Sequence, residues 1–286
     1  MKEQIVYLNG RFLPKSEAAI SPMDRGFLFG DGIYEVIPCH GRRPIALERH
    51  LERLTRNLNA ISLRCNERDA WRTVILELIS NSPWEHCGVY FHVSRGVAER
   101  RHHTFSSTLE PTVFAYTFDI PAPRSSANPP EHGLKLKSQE DLRWQHCDIK
   151  VTALLGNVLH YQAAVNEGFD EALLYRHDGL LTEAAASNIF VVSGRKIMTP
   201  RLDQHLLPGI TRGLVLDILR MSQEFKVVEC DLRLSDCFDA DEVWLSSSTR
   251  EIAPVSMIDS KPITARTESA WGLAIDLFQQ HKFEFA

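Results

Sequence analysis

Lys150 stands in the stretch DLRWQHCDIKVTALLGN, between Ile149 and Val151, with a long apolar and small-residue segment after it. A lysine so placed ordinarily closes a strand and carries its ammonium out to water. The same setting also suits an amine kept for chemistry, because a desolvated lysine gives up its proton readily and condenses with a carbonyl as a Schiff base. Three other groupings hold reactive or anion-binding side chains: RGFLFGDGIYEV at 25–36, ERRHH at 99–103 and SSSTRE at 246–251. Taken singly they read as a glycine turn, a solvated loop and a polar strand end. The phosphate-loop, dinucleotide, nucleophile-elbow and H-E-x-x-H signatures are absent. Six cysteines lie far apart without a C-x-x-C pair, so neither a disulfide framework nor a thiolate zinc site is expected, and no metal is assigned.

The elements that must position these groups follow from periodicity. IVYLNGRFLP reads as a hairpin turning at Asn9-Gly10. Leu47, Leu51, Leu54, Leu58 and Ile61 fall on one helical face and leave Arg49, Arg53 and Arg56 on an arginine edge. GVYFHVSRG and PTVFAYTFDI read as strands. Ile120 to Gly133, IPAPRSSANPPEHG, is rich in proline and small polar residues and reads as a linker. Beyond it come the strand GLKLKS, a helix from about Leu154 to Glu167, the strands EALLYR and SNIFVV, the helix GITRGLVLDILRM, the strands FKVVECDLRL and DEVWLSSS, and a closing helix ESAWGLAIDLFQQH. Strands and helices mix without a βαβ rhythm, which points to two α+β domains: 1–119, a linker at 120–133, and 134–286 carrying Lys150.

The 286 residues are 44% hydrophobic and 24% charged, ample for such cores. A formal charge of −5 leaves no electrostatic footprint for nucleic acid. No apolar run reaches membrane-spanning length and MKEQIVYLNGRF lacks the character of a signal peptide, so a cytoplasmic protein without a membrane partner is expected.

RGFLFGDGIYEV, RWQHCDIK, TEAAASNIF, LPGITRGLV and SSSTREIAPV occur in the order seen in the fold type IV pyridoxal-phosphate aminotransferases, the branched-chain/D-amino-acid class. The chain resembles the D-amino-acid aminotransferase branch of that class over nearly its whole length. The resemblance implies a two-domain α+β fold, pyridoxal 5'-phosphate as cofactor, and a homodimer with active sites at its interface. Lys150 matches the Schiff-base lysine, which anchors the cofactor and, as a free amine, moves a proton at the substrate Cα. Glu183 matches the glutamate facing the pyridine nitrogen, where a carboxylate keeps the ring protonated. Arg53 matches the phosphate arginine. Ile210 and Thr211, after Gly209, would present backbone N–H groups to that phosphate, with the hydroxyls of Ser247 and Ser248. Leu207 matches a residue packed on the ring, Arg143 one near its phenolic oxygen, and Ser187 and Asn188, which complete the TE-x-S-x-SN pattern, are implied to bind the cofactor. Ala185 replaces that pattern's middle serine, and His146 stands where relatives often have arginine.

Members of the class divide by how they hold the substrate carboxylate. The R-x-H of Arg100 and His102, with Tyr34 of GIYEV, resembles the carboxylate clamp of the enzymes acting on D-amino acids, and Arg101 with His103 is the pair shifted by one residue. A planar guanidinium fork with histidine and tyrosine donors suits a carboxylate. In the class, the R-x-H pair reaches in from the partner subunit. The function implied is ping-pong exchange of amino groups between D-amino acids and 2-oxo acids. The alternatives are a branched-chain L-amino-acid aminotransferase, an aminodeoxychorismate lyase, or a non-catalytic carrier of the cofactor.

Overall fold

Alternation along Gly32–His40 sets the first half of the molecule: Ile33, Glu35 and Ile37 are buried while Tyr34 and Val36, of opposite parity, are only half-buried. In the computed structural model, which describes residues 3–65, 67–263 and 269–285, that strand belongs to an antiparallel six-stranded sheet. Its strands are β1 (Ile5–Leu8), β2 (Arg11–Pro14), β3 (Gly32–His40), β4 (Arg43–Pro44), β5 (Cys87–Ser94) and β6 (Thr112–Asp119), ordered β2-β1-β6-β5-β3-β4. The hairpin turns where expected, with positive φ at Asn9 and Gly10. A short helix, α1 (Arg25–Phe29), precedes β3, and α2 (Leu47–Ala60) and α3 (Arg68–Ser80) follow β4. Leu51, Leu54 and Leu58 of α2 join Trp71, Ile75 and Leu78 of α3 in one core with Ile33, Ile37, Val89 and Phe91. Each such fully buried side chain contributes about 1.5–3 kcal/mol.

The chain divides into two compact units at 122/123, and Ile149–Leu154 returns to the first. Lys150 therefore packs with the first unit, not with 134–286 as its place in the sequence suggested. The cause is backbone pairing: Tyr34 N–H donates to Lys150 O at 3.1 Å, Thr152 N–H to Gly32 O at 2.9 Å, and Val151 bridges Ile33. The expected linker also splits. From Pro123 onward it belongs to the second unit, where Arg124 N–H donates to Glu251 Oε2 at 2.9 Å and Ser126 N–H to Asp276 Oδ1 at 3.1 Å.

The second unit is built on a nine-stranded mixed sheet. Its strands are β7 (Leu134–Glu140), β8 (Glu171–Tyr175), β9 (Leu181–Ala184), β10 (Asn188–Ser193), β11 (Lys196–Pro200), β12 (Lys226–Cys230), β13 (Glu242–Ser247), β14 (Glu251–Ile258) and β15 (Lys261–Pro262). The order is β12-β11-β10-β13-β14-β7-β8-β9, with β15 beside β14, and β12/β11, β14/β7 and β7/β8 run parallel. Helices α4 (Leu155–Asn166), α5 (Ile210–Ser222), α6 (Leu234–Phe238) and α7 (Ala270–His281) complete it. The expected start of the closing helix at Glu268 lies outside the described residues. Parallel and antiparallel pairs in one sheet, with helices not alternating one to a strand, make the fold α+β. Among the described residues no helix is long and apolar enough to cross a membrane, and no group of three or more His, Cys, Asp or Glu side chains is arranged to hold a metal ion.

Candidate active site

In the first unit the Lys150 ammonium sits 4.1 Å from the centroid of the Tyr34 ring, which stacks on Tyr90 at 5.6 Å. The period of β3 that turns Tyr34 to one face turns Glu35 to the other, beneath α2. There Arg53 Nε donates to Glu35 Oε1 at 2.7 Å and Nη2 to Oε2 at 2.8 Å, and His50 Nδ1 lies 2.7 Å from Oε2. All three side chains are buried. Arg53 thus leaves the solvated edge on which Arg56 remains: 50, 53 and 57 follow the same three-to-four spacing as the leucine stripe and turn inward with it. Burial alone would raise the Glu35 carboxyl, but the charge and hydrogen bonds of Arg53, then His50, hold it well below the usual carboxylate range. Burial lowers His50, with Glu35 opposing. Glu35 and His50 escaped the motif reading, although the parity Ile33–Glu35–Ile37 already placed a carboxylate on an apolar face.

Arg100 and His102, and equally Arg101 and His103, are exposed on the segment joining β5 to β6. His102 Nδ1 lies 2.7 Å from Thr104 Oγ1.

The second unit gathers the remaining matches around Glu183 on β9. Arg143 Nη1 donates to Glu183 Oε1 at 2.8 Å, while Leu207 N–H and Asn188 Nδ2 donate to Oε2 at 3.0 and 3.1 Å. Asn188 Nδ2 also reaches Leu207 O at 2.9 Å. Arg143 is shared with Asp141, which accepts from Nε at 3.0 Å and Nη2 at 2.8 Å and from Thr182 Oγ1 at 3.1 Å. Asp141 too was missed, though its i,i+2 spacing to Arg143 is visible in DLR. Burial pushes the Glu183 carboxyl above the usual range, with Arg143 and Leu207 N–H opposing. Asp141 goes the other way: burial would raise it, but Arg143 outweighs that and lowers it.

Helix α5 opens at Gly209 without a side-chain cap, so the N–H groups of its first turn, from Ile210 and Thr211, meet no capping oxygen there. A Cβ at Gly209 would stand 2.1 Å from Asn188 Oδ1, and Asn188 is pinned by its own bonds, so only glycine fits. An uncapped helix start of this kind holds anions. Ser247 ends β13 and Ser248 opens the turn after it, both half-buried, and next to them Ser246 Oγ is buried without a hydrogen-bond partner among the described residues. Ser187 Oγ lies 3.3 Å from Oε2 of the fully buried Glu171, which also accepts from Ala186 N–H at 2.7 Å and from Arg250. Ala185 is buried and contributes backbone only, its carbonyl accepting from Asn157 Nδ2 at 2.8 Å. His146 is exposed, 3.7 Å from Asp148.

In the first unit an amine beside an aromatic ring suits a carbonyl; in the second a triply donated buried carboxylate suits a basic ring nitrogen, and an uncapped helix start suits a phosphate. Residues 32–258 match the family described as amino-transferase class IV. A D-alanine aminotransferase from Bacillus licheniformis is 36% identical over 262 residues, 90% of this chain and 89% of that one. One from Staphylococcus aureus strain N315 is 34% identical over 261 residues, 90% of each. In fold, the chain is similar to the branched-chain amino acid aminotransferase of Escherichia coli, with TM-score 0.87 at 19% identity over 99% of this chain and 95% of that one. It is likewise similar to a hypothetical aminotransferase from Mycobacterium tuberculosis in its PLP-bound form, with TM-score 0.85 at 19% identity over 98% of each chain.

Proposed function

This chain belongs to the class IV aminotransferase family, and on that premise we propose that it is a pyridoxal-phosphate-dependent transaminase exchanging amino groups between D-amino acids and 2-oxo acids. Its D-amino-acid specificity is supported by the names of relatives at 34–36% identity over most of the chain. The single observation that carries the cofactor chemistry is the setting of Glu183, a buried carboxylate fixed by Arg143, Asn188 and the Leu207 N–H.

The residues fit the cofactor. When bound, pyridoxal phosphate supplies an aldehyde that condenses with amines and a protonated ring that draws electrons from the substrate Cα. Lys150 is assigned as the catalytic amine, which would hold the aldehyde and, once freed by substrate, would move a proton between the substrate Cα and the cofactor C4′. Glu183 holds the proton on the ring nitrogen. Arg53, the first-turn N–H groups of Ile210 and Thr211, and Ser247 and Ser248 hold the phosphate. Leu207 would pack against the ring, and Arg143, which holds Glu183, would lie near the phenolic oxygen; Ser187 and Asn188, held by Glu171 and by Glu183 with Leu207, would line the cofactor site. Tyr34, Arg100 and His102 take the substrate carboxylate, the last two from the partner subunit of a homodimer. We place the enzyme in the cytoplasm, without nucleic acid or membrane partners.

The test is chemical mapping. Borohydride reduction of the holoprotein and peptide analysis should find the phosphopyridoxyl group on Lys150, and Lys150→Ala should lose steady-state turnover. A label on another lysine removes the assignment.

A further inference from the structure

The Arg25 side chain is only 5% exposed, yet it makes most of its bonds to an exposed loop. Its Nη1 donates to the carbonyls of His102 at 2.6 Å and Thr104 at 3.3 Å, and its Nη2 to that of His103 at 3.1 Å. Its Nε donates to Asp31 Oδ2 at 2.8 Å. Asp31 also accepts from Arg95 Nε at 2.8 Å and Nη2 at 2.9 Å, and Arg95 in turn donates to the carbonyls of Ile61 at 2.7 Å and Ser62 at 3.3 Å, at the end of α2. Burial alone would raise the Asp31 carboxyl, but Arg95 and Arg25 hold it below the usual range. Phe105 covers this chain of charges, with its ring 3.6 Å from the Arg95 guanidinium and 5.6 Å from that of Arg25. The Phe29 ring of α1 lies 4.7 Å from the Arg25 guanidinium and 4.9 Å from that of Arg101. At the base of the loop Gly96 has φ +90, and a Cβ there would meet Glu110 O at 1.8 Å.

A segment of exposed residues, Glu99 to Thr108, is therefore tied at three consecutive carbonyls to a buried guanidinium that is itself fixed to the sheet and to α2. Loops of this length without secondary structure of their own are ordinarily mobile, and ordering one costs conformational entropy at every residue held. Carbonyl anchors fix a backbone without using its side chains, so Arg25 orients the segment of Arg100 and His102 without occupying their polar ends. We propose that Arg25, Asp31 and Phe105 are positioning residues that set the geometry of the Arg100–His102 carboxylate clamp, and so determine how tightly this enzyme takes substrates that carry a carboxylate beside the amine. The inference rests on the clamp reading above. It gives the Arg25 and Asp31 of RGFLFGDG a role apart from the glycine turn.

The experiment compares the holoprotein's reaction with aminooxyacetate, which carries a carboxylate, and with O-methylhydroxylamine, which does not; both consume the cofactor carbonyl and are followed by absorbance. The ratio of the two rates reports carboxylate recognition alone. Arg25→Lys keeps the charge but loses the planar fork, and Phe105→Ala removes an exposed ring, leaving a variant that folds if Arg25→Lys does not. A misplacement of about 1 Å at a binding group can cost up to roughly a hundred-fold, so the ratio should fall roughly ten-fold or more in Arg25→Lys, nearly as far as in Arg100→Ala, and by less in Phe105→Ala. Amide exchange over 97–108 should quicken in both variants, with β3 and β5 unchanged. A ratio that falls in Arg100→Ala but holds in Arg25→Lys and Phe105→Ala overturns the positioning role. A ratio that holds in all three overturns the clamp itself, and the positioning role with it.

Discussion

Arg143 stands between two carboxylates, its Nη1 2.8 Å from Glu183 Oε1 and its Nη2 2.8 Å from Asp141 Oδ2, with all three side chains buried. One guanidinium shared in this way offsets the cost of burying Glu183 without neutralising it, and Glu183 stays above the usual carboxylate range. Glu183 is thus a carboxyl raised by burial and fixed by Arg143, the setting that its proposed contact with a ring nitrogen would use.

Glu183→Gln keeps the shape and can still meet Asn188 and Leu207, but a neutral amide does not stabilise a ring cation. The variant should bind cofactor and carry out each half-reaction at least roughly a hundred-fold more slowly, the size of effect seen when one preorganised electrostatic group is removed. Stopped-flow rates equal to those of the unaltered protein would take Glu183 out of the mechanism.

The Glu35–Arg53–His50 cluster sets a stability that depends on pH. Glu35→Gln strips the buried Arg53 of its counter-charge, and such a change costs about 3–5 kcal/mol, read as a lower urea midpoint. Because the folded pKa of Glu35 lies below its ordinary 4.5, the unfolded chain binds the proton first; the contribution is full above 4.5 and is lost as pH falls further. The gap between the two proteins should therefore be constant at neutral pH and narrow below about 4.5. His50, also lowered when folded, opens a higher window: its contribution is complete above 6.5 and declines below it. A gap that stays flat into the acid range would show that Glu35 is not held ionised by this pair.

The partner-subunit origin of the clamp is tested by mixing. Lys150→Ala and Arg100→Ala are each expected to be inactive toward D-alanine. After mild dissociation and random reassortment of equal amounts, roughly a quarter of all sites should regain Lys150 from one chain and Arg100 from the other. Each variant reassembled alone is the control. No recovery despite demonstrated subunit exchange would assign Arg100 and His102 to the same chain as Lys150.

Much of this was legible in local pattern. The Asn9-Gly10 hairpin, the leucine stripe of α2 and the start of α5 after Gly209 follow from spacing within a few residues, and the ordered motifs identify the family. What spacing did not reach was pairing across the chain. Glu35 and His50 lie on different elements and meet only because β3 packs under α2. Arg53 looked like part of a solvated arginine edge because helical phase alone does not say how wide the buried face is. Lys150 joined the first unit through its own backbone bond to Tyr34 and that of Thr152 to Gly32, more than a hundred positions away in the chain, which no local signal records.

The central claim, transamination of D-amino acids through pyridoxal phosphate, is tested most directly by the absorbance of the holoprotein during titration with D-alanine and, separately, L-leucine. D-alanine should convert the pyridoxal form to the pyridoxamine form much faster than L-leucine does, and 2-oxoglutarate should restore it. Faster conversion by L-leucine, or no conversion by either amino acid, would contradict the account.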